Sequence, residues 1–134
     1  MTEDALLALL RALRDRVVGI TDTALAGRDG LIITSDTTGA EPDNLAALAA
    51  ASLGIAQRMV ADVRHGTLLE VTTRSTGGSV AVYSVGGLAL LAVVGDKRLD
   101  IGRLRREAGP TLEAIEVVLK RGQPGVGGTG AAAS

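Results

Sequence analysis

Few residues in this sequence have the chemistry needed for catalysis or for binding a metal ion. The chain has a single histidine, His65, and no cysteine, which disfavours a Ser-His-Asp triad, a thiolate nucleophile and a Cys-ligated zinc site. The carboxylates are scattered, and no pair of them has the placement that general acid/base catalysis requires. We therefore interpret His65 as an exposed turn residue, and we expect no metal, no cofactor and no enzymatic activity.

One glycine-rich stretch formally matches a nucleotide-binding motif. Gly125, Gly127 and Gly130 have the spacing GxGxxG, which binds a pyrophosphate only where it joins a strand to the N-terminus of a helix. Here the motif lies in residues 122–134, a Gly/Ala-rich stretch without periodicity that is predicted to be disordered. The sequence also lacks a GxxxxGK[ST] motif, so the chain is not itself a P-loop NTPase.

Basic residues cluster near the start of the last predicted helix: Lys97, Arg98, Arg103, Arg105 and Arg106. They could form a patch for an anion or an acidic partner. We favour a solvated helix face, because three acidic residues follow in the same segment: Glu107, Glu113 and Glu116.

The composition disfavours several classes of partner. Hydrophobic residues make up 46% of the 134 residues, but Tyr83 is the only aromatic residue, which argues against base stacking with single-stranded nucleic acid. A net charge of -1 provides no basic field towards DNA or anionic lipid. The acidic N-terminus is unlike a signal peptide, and we expect no apolar run to approach the ~20 residues of a membrane span. We expect a cytoplasmic protein without nucleic-acid binding or membrane insertion.

The chain is organised around an apolar segment, residues 42–63, whose periodicity predicts a helix. Its larger side chains return to one side: Leu45, Leu48, Ser52, Ile55, Met59 and Val63. The opposite side carries mostly small residues: Ala47, Ala50, Ala51, Gly54, Arg58 and Ala61. No charged residue occurs between Leu45 and Ala56, so neither side is suited to water. We infer that the larger side covers a sheet of its own domain and the small-residue side contacts a second protein. The alternative is a central helix inside a larger fold.

The other segments predict a single domain over residues 1–121 with the order α-β-β-α-β-β-β-α. The outer helices are predicted at residues 3–18 and 101–121, and the strands at 20–26, 31–36, 67–74, 79–84 and 88–94. Asp29-Gly30 indicates a hairpin turn between the first two strands. The fifth strand lacks polar alternation and is expected at the centre of the sheet. Pro110 is expected to kink or interrupt the third helix.

The predicted fold class is α+β, with a five-stranded, largely antiparallel sheet. The second helix is expected on one face of the sheet and the other two helices on the opposite face.

This element order, the Asp29-Gly30 hairpin and the Ala-rich second helix resemble the Roadblock family, which includes dynein light chains and bacterial MglB-type regulators of small Ras-like GTPases. The resemblance covers about residues 2–121 and implies a profilin- and longin-like Roadblock fold. The Gly/Ala-rich composition is similar to that of the bacterial signalling branch. Pro110 inside the third helix departs from the family pattern.

The resemblance implies a homodimer in which the second helices pair around a two-fold axis and the third strands meet edge to edge. It also implies that a small Ras-like GTPase docks on the surface built by the paired helices. The positions that match the GTPase surface are Ala47, Ala50, Ala51, Gly54 and Arg58, with the Ala50/Gly54 pair as the expected footprint. The positions that match the dimer interface are Leu53, Ala61, Glu70, Thr72 and Arg74. The residues agree independently, because self-complementary antiparallel pairing would set Glu70 near Arg74 of the twin strand.

The function implied by the resemblance is a non-enzymatic, homodimeric regulator or scaffold for a small Ras-like GTPase. One form of this function is a GTPase-activating protein. Arg58 could act as an arginine finger, which can raise GTP hydrolysis about 10³–10⁵-fold. We favour a solvated arginine at the rim of the interface.

Two alternative functions remain open. One is a cytoplasmic small-molecule-sensing domain of profilin- or PAS-like topology, which needs a cavity that this aromatic-poor sequence disfavours. The other is a dimerisation module without a GTPase partner.

Overall fold

The computed structural model describes residues 2–122, which form three helices and five strands. In chain order the elements are α1 (Thr2–Arg16), β1 (Ile20–Gly27), β2 (Ile32–Asp36), α2 (Pro42–Asp62), β3 (Glu70–Ser75), β4 (Gly78–Val85), β5 (Ala89–Asp96) and α3 (Ile101–Gly122). This order confirms the predicted α+β architecture. The predicted tail beyond Gly122, with its GxGxxG motif, lies outside the described residues.

The five strands form one antiparallel sheet in the order β2-β1-β5-β4-β3. β5 lies at the centre and pairs with β1 on one side and with β4 on the other. Residues 90–93 of β5 are completely buried, which confirms that an apolar run without alternation is covered on both faces. At the end of the sheet, β3 pairs with β4 only.

α1 and α3 pack on one face of the sheet and α2 packs on the other, as the sequence predicted. The α1/α3 side contains the larger core, including Leu6, Leu10, Leu13, Leu91, Leu104 and Ile115. The core under α2 is thinner and is built mainly from alanine, with Leu53, Val82 and Leu90 as its larger side chains. The backbone of α2 therefore lies close to the sheet, and this close approach determines which side chains remain outside.

The third strand is shorter than predicted. It begins at Glu70, opposite Tyr83 of β4, and not at Thr67. The preceding residues leave the sheet because Leu68 packs against the core under α2, while Leu69 points outwards and is 79% exposed. Residues 67–69 consequently form an irregular segment in front of the edge strand.

Two local signals fix the start of α2. Glu41 occupies the N-cap, and its carboxylate accepts hydrogen bonds from the backbone N–H groups of Asn44 (2.9 Å) and Asp43 (3.4 Å). Pro42 occupies the first turn, as predicted, where its missing N–H leaves no hydrogen bond unmade. These contacts set the point at which the apolar helix begins to cross the sheet.

α3 continues through Pro110 without a break, so the predicted interruption does not occur. Pro110 removes the hydrogen bond that its position would donate to the carbonyl of Arg106. The helix persists because its buried side holds it on both sides of the proline: Ala108, Thr111 and Ile115 are all buried, whereas Pro110 is exposed.

Replacing Pro110 by alanine should therefore stabilise the domain. Alanine restores the missing helical hydrogen bond, and the gain exceeds the loss of proline's restriction of the unfolded chain. We expect the free energy of unfolding to rise by about 1–2 kcal/mol in urea titrations. An unchanged or lower value would contradict the expected cost of the missing hydrogen bond.

Candidate interaction surface on α2 and the edge of β3

The side of α2 that packs on the sheet is not the side predicted from the spacing of its larger apolar residues. The buried residues are Ala46, Ala49, Leu53 and Ala56. The larger residues expected there are 57–64% exposed: Leu48, Ile55, Met59 and Val63. We call these four residues the apolar ridge of α2. The prediction that they cover the sheet is wrong, although Leu45 from the same stripe does pack against the core.

The sheet itself explains the reversal. Beneath α2 it presents mainly methyl groups, from Ala24, Ala26 and Ala92. Small residues on both sides of this contact let the helix approach closely, and Leu53 fills the remaining space with 1% exposure. Leu53 is therefore buried within its own domain, and almost none of its side chain is exposed for the predicted dimer interface.

The outer side of α2 presents an apolar surface to solvent. The ridge lies beside a groove of about 230 Å³ between α2 and the edge of the sheet, lined in part by Leu45, Ser52, Thr73 and Val80. Exposed apolar surface that is concentrated along one element is typical of a protein–protein interface. The ridge and groove together make this side the candidate interaction surface.

Next to the ridge lies a small-residue flank, whose members are all exposed: Ala47, Ala51, Gly54, Arg58 and Ala61. A Cβ added at Gly54 would meet no atom within 4 Å, so this part of the flank is open. Ala50 is different, because it is half-buried against the turn between β1 and β2. A Cβ added at Gly30 would lie 3.4 Å from Cβ of Ala50 and 3.3 Å from Cα of Ala47. The small side chain at Ala50 thus accommodates the protein's own hairpin, and Ala50 and Gly54 do not form one open footprint.

The free edge of β3 is the second part of the candidate surface. Within the described chain, the side of β3 that faces away from β4 has no strand partner. Val71 and Thr73 stand opposite Val82 and Val80 on the α2 face of the sheet. An unpaired edge next to an apolar helix is a template for pairing with another chain.

On the other face of β3, Glu70 already has a partner within its own chain. Arg105 of α3 donates from Nε to Oε1 of Glu70 (2.8 Å) and from Nη2 to Oε2 (3.0 Å), and the Thr72 hydroxyl donates to Oε2 (2.7 Å). The hydrogen bond from Arg105 holds the pKa of Glu70 below its ordinary value despite partial burial. Any contact between Glu70 and Arg74 of a twin strand would have to share the carboxylate with Arg105. Sequence reasoning missed this pair because its members lie 35 residues apart.

Asp22 positions the loop that leads into α2. It is 4% exposed, and its Oδ1 accepts hydrogen bonds from the backbone N–H groups of Thr38 (2.7 Å), Gly39 (2.9 Å) and Ala40 (3.0 Å). Burial alone would raise its pKa, but these bonds and one from the Thr21 hydroxyl outweigh it and lower the pKa from 3.8 to about 2. The available signal was an acidic residue inside a predicted strand, since a charge that becomes buried there needs hydrogen-bonding partners.

The remaining sequence candidates add no catalytic chemistry. His65 is exposed after α2, as predicted. Within residues 2–122, no group of three or more His, Cys, Asp or Glu residues is placed to hold a metal ion. By length and composition alone, α2 is long and apolar enough to cross a membrane. Its stretch without charged residues runs only from Asn44 to Gln57, shorter than the ~20 residues of a membrane span.

The structure also contains a cleft that the sequence did not predict. It has a volume of about 560 Å³ and lies between α3 and residues 67–70, on the sheet face opposite α2. The expectation of no roomy pocket is therefore wrong. Aromatic walls are not needed, because Gly87 and Gly109 line the cleft and a Cβ added at either would meet no atom within 4 Å.

The sequence and the fold are similar to those of known proteins. Residues 6–95 match the family described as the Roadblock/LC7 domain. An uncharacterized protein of Methanocaldococcus jannaschii is 28% identical over 105 residues, which cover 78% of this chain and 91% of the relative. The structure of gliding protein MglB from Thermus thermophilus is similar with a TM-score of 0.80 and 17% identity, covering 90% of this chain and 93% of that one. A structure described as MglB with a tetrameric arrangement has a TM-score of 0.82 and 17% identity, covering 90% and 92%.

Proposed function

Because this chain belongs to the Roadblock/LC7 domain family, we propose that it is a homodimeric, non-enzymatic regulator or scaffold for a small Ras-like GTPase. The observation that carries the proposal is the exposed apolar ridge of α2 next to the free edge of β3. We place the protein in the cytoplasm, where such a GTPase would be met.

The homodimer forms by pairing of the two β3 edges and of the two α2 helices. A symmetric pair would satisfy the free hydrogen-bonding groups of β3 and would cover the ridge residues Leu48, Ile55 and Met59 of both copies at once. Antiparallel pairing centred on Thr72 would bring Arg74 of one copy beside the Glu70–Arg105 pair of the other. The exposed Ala61, close to the end of α2, belongs to the same contact.

The GTPase docks on the part of the small-residue flank that remains outside the dimer contact, which excludes Ala61. Ala47, Ala51 and Gly54 lack side chains that would hold a partner's backbone away, and Ala50 contributes only its exposed part. Arg58 is exposed beyond Gly54, and we assign it to the rim of the contact. The mechanism is a population shift: the dimer binds one conformation of the GTPase switch regions more tightly than the other, and in this way it can accelerate hydrolysis as a GTPase-activating protein.

Replacing Gly54 by arginine should weaken GTPase binding at least about tenfold, because a bulky charge would enter a close apolar contact. Gly109→Arg is the matched control, since Gly109 is also an exposed helical glycine with no atom within 4 Å of an added Cβ, but it lies on α3. Binding is measured with purified small Ras-like GTPases of the host, loaded with GDP or a GTP analogue. If Gly54→Arg binds as the unmodified protein does, the flank is not the footprint; if no GTPase binds the unmodified protein, the regulator proposal fails.

A further inference from the structure

A polar pocket lies where the ends of β3 and β4 meet the segment that joins β5 to α3. Its volume is about 230 Å³, and Leu99 and Ile101 are part of its wall. Its surface is mostly polar, unlike that of the apolar groove beside α2. The pocket is smaller than those of drug-sized ligands, ~300–1,000 Å³, and its size suits one small polar group.

Arg74 and Ser79 contribute to this pocket from the side of the sheet that carries α3. They stand directly opposite each other on β3 and β4. Because side chains alternate along a strand, Arg74 lies on the same face as Glu70, which binds Arg105 of α3. Within the described chain the Ser79 hydroxyl has no hydrogen-bond partner, so it is available as a donor.

The structure divides the basic cluster that the sequence places near the start of α3. Three of its members donate to acceptors within the chain: Arg98 to Asp96 (2.9 Å), Arg105 to Glu70 (2.8 Å) and Arg103 to the backbone carbonyl of Arg16 (3.0 Å). Lys97 lines the pocket and has no side-chain partner within residues 2–122. The same holds for Arg74, which the sequence did not place beside this cluster.

The positive charge of the pocket is not balanced. Among the described residues that line it, Asp96 is the one carboxylate, and Arg98 donates to both of its oxygens, from Nη2 to Oδ2 (2.9 Å) and from Nε to Oδ1 (3.3 Å). These hydrogen bonds hold the pKa of Asp96 below its ordinary value. The Asp96–Arg98 pair therefore adds no net charge, and the charges of Arg74 and Lys97 remain for an anion.

We propose that this pocket binds the phosphate group of a small soluble phosphate ester, with Arg74 and Lys97 as its cations and the Ser79 hydroxyl as a donor. A phosphate ester carries about −1.5 to −2 charges at neutral pH, which two cations balance. An arginine fork and a lysine ammonium are the usual side chains for such a group. Membrane surfaces are recognised by clusters of roughly 4–8 basic residues, so two free cations in one small pocket favour a soluble ligand.

The test is a nuclear magnetic resonance titration of the full chain with ethyl phosphate, which replaces sodium chloride at constant ionic strength. We expect saturable shifts of the amide signals of Ser75, Ser79 and Lys97, with a dissociation constant of about 1–10 mM, and no saturable shift of Gly54. Constant ionic strength removes general screening as a cause of the shifts. Shifts that do not saturate at the three pocket residues would overturn the proposal without any variant.

Three glutamine variants test the assignment of the cations. Lys97→Gln and Arg74→Gln should each weaken binding about fivefold through loss of a charge-assisted hydrogen bond. Arg11→Gln is the matched control, because Arg11 is exposed on α1 and has no side-chain partner within residues 2–122. It should bind ethyl phosphate as the unmodified protein does, and equal affinities of Lys97→Gln and Arg11→Gln would contradict the proposal.

The result is separable from the proposed function. Lys97 is not among the residues assigned to the dimer or to the GTPase contact, so a loss in Lys97→Gln does not report dissociation of the dimer. The titration measures neither self-association nor GTPase binding, and its failure would leave the function proposed for α2 untouched.

Discussion

We expect that replacing Ile55 by aspartate weakens self-association about a hundredfold or more. Ile55 is 64% exposed and lies in the middle of the apolar ridge, in a stretch of α2 without any charged residue between Leu45 and Ala56. In a two-fold dimer the substitution places two carboxylates in one apolar contact. Desolvation of unpaired charges of this kind opposes association by roughly 2–5 kcal/mol.

The same substitution should leave the folded subunit intact, because the side chain is exposed in the single chain. Val117→Asp is the matched control, since Val117 is an exposed apolar residue of α3 (47%) on the opposite face of the sheet. Sedimentation velocity over a concentration series distinguishes the two variants. Equal dissociation by both, or an unchanged dimer in Ile55→Asp, would show that the ridge is not the contact.

Replacing Asp22 by alanine should destabilise the domain by about 2–4 kcal/mol. The carboxylate holds three successive backbone N–H groups of the loop that precedes α2, and hydrogen bonds to a charged acceptor are stronger than those to a neutral one. Asp29→Ala is the control, because exposed Asp29 accepts a single backbone hydrogen bond, from Leu31 at 3.0 Å. Urea titration at neutral pH measures both, and similar losses in the two variants would contradict the role of Asp22.

The pH dependence tests the same role. Because the pKa of Asp22 is lowered from 3.8 to about 2 on folding, its contribution is complete above pH 4 and is lost as the pH falls towards 2. The depressed pKa corresponds to about 2 kcal/mol of unfolding free energy. Asp22→Asn cannot titrate and should lose less stability than the unmodified protein over this interval. Parallel losses would mean that other carboxylates account for the acid sensitivity.

The elements themselves were predictable because local patterns determine them. Residues 88–94 lack polar alternation and form the central strand β5, and Gly30 supplies the positive φ (86°) of the β1–β2 turn. Pro42 marks the first turn of α2. These signals depend only on neighbouring residues, so the order of helices and strands followed from the sequence.

The orientation of α2 and the supports of the site were not predictable in the same way. Both sides of α2 are apolar, and the choice between them depends on the methyl groups of Ala24, Ala26 and Ala92 in the sheet below. The Glu70–Arg105 pair and the bonds of Asp22 to the loop join residues that are distant in sequence. Periodicity carries no information about such contacts, because they arise only when the sheet is assembled.

The central claim is that a second copy of the chain covers the apolar ridge of α2. Sedimentation equilibrium of the unmodified protein tests it most directly, from micromolar to millimolar concentration. We predict a single species with twice the 13.6 kDa mass of the chain. A species that retains the mass of one chain at the highest concentration would contradict the claim.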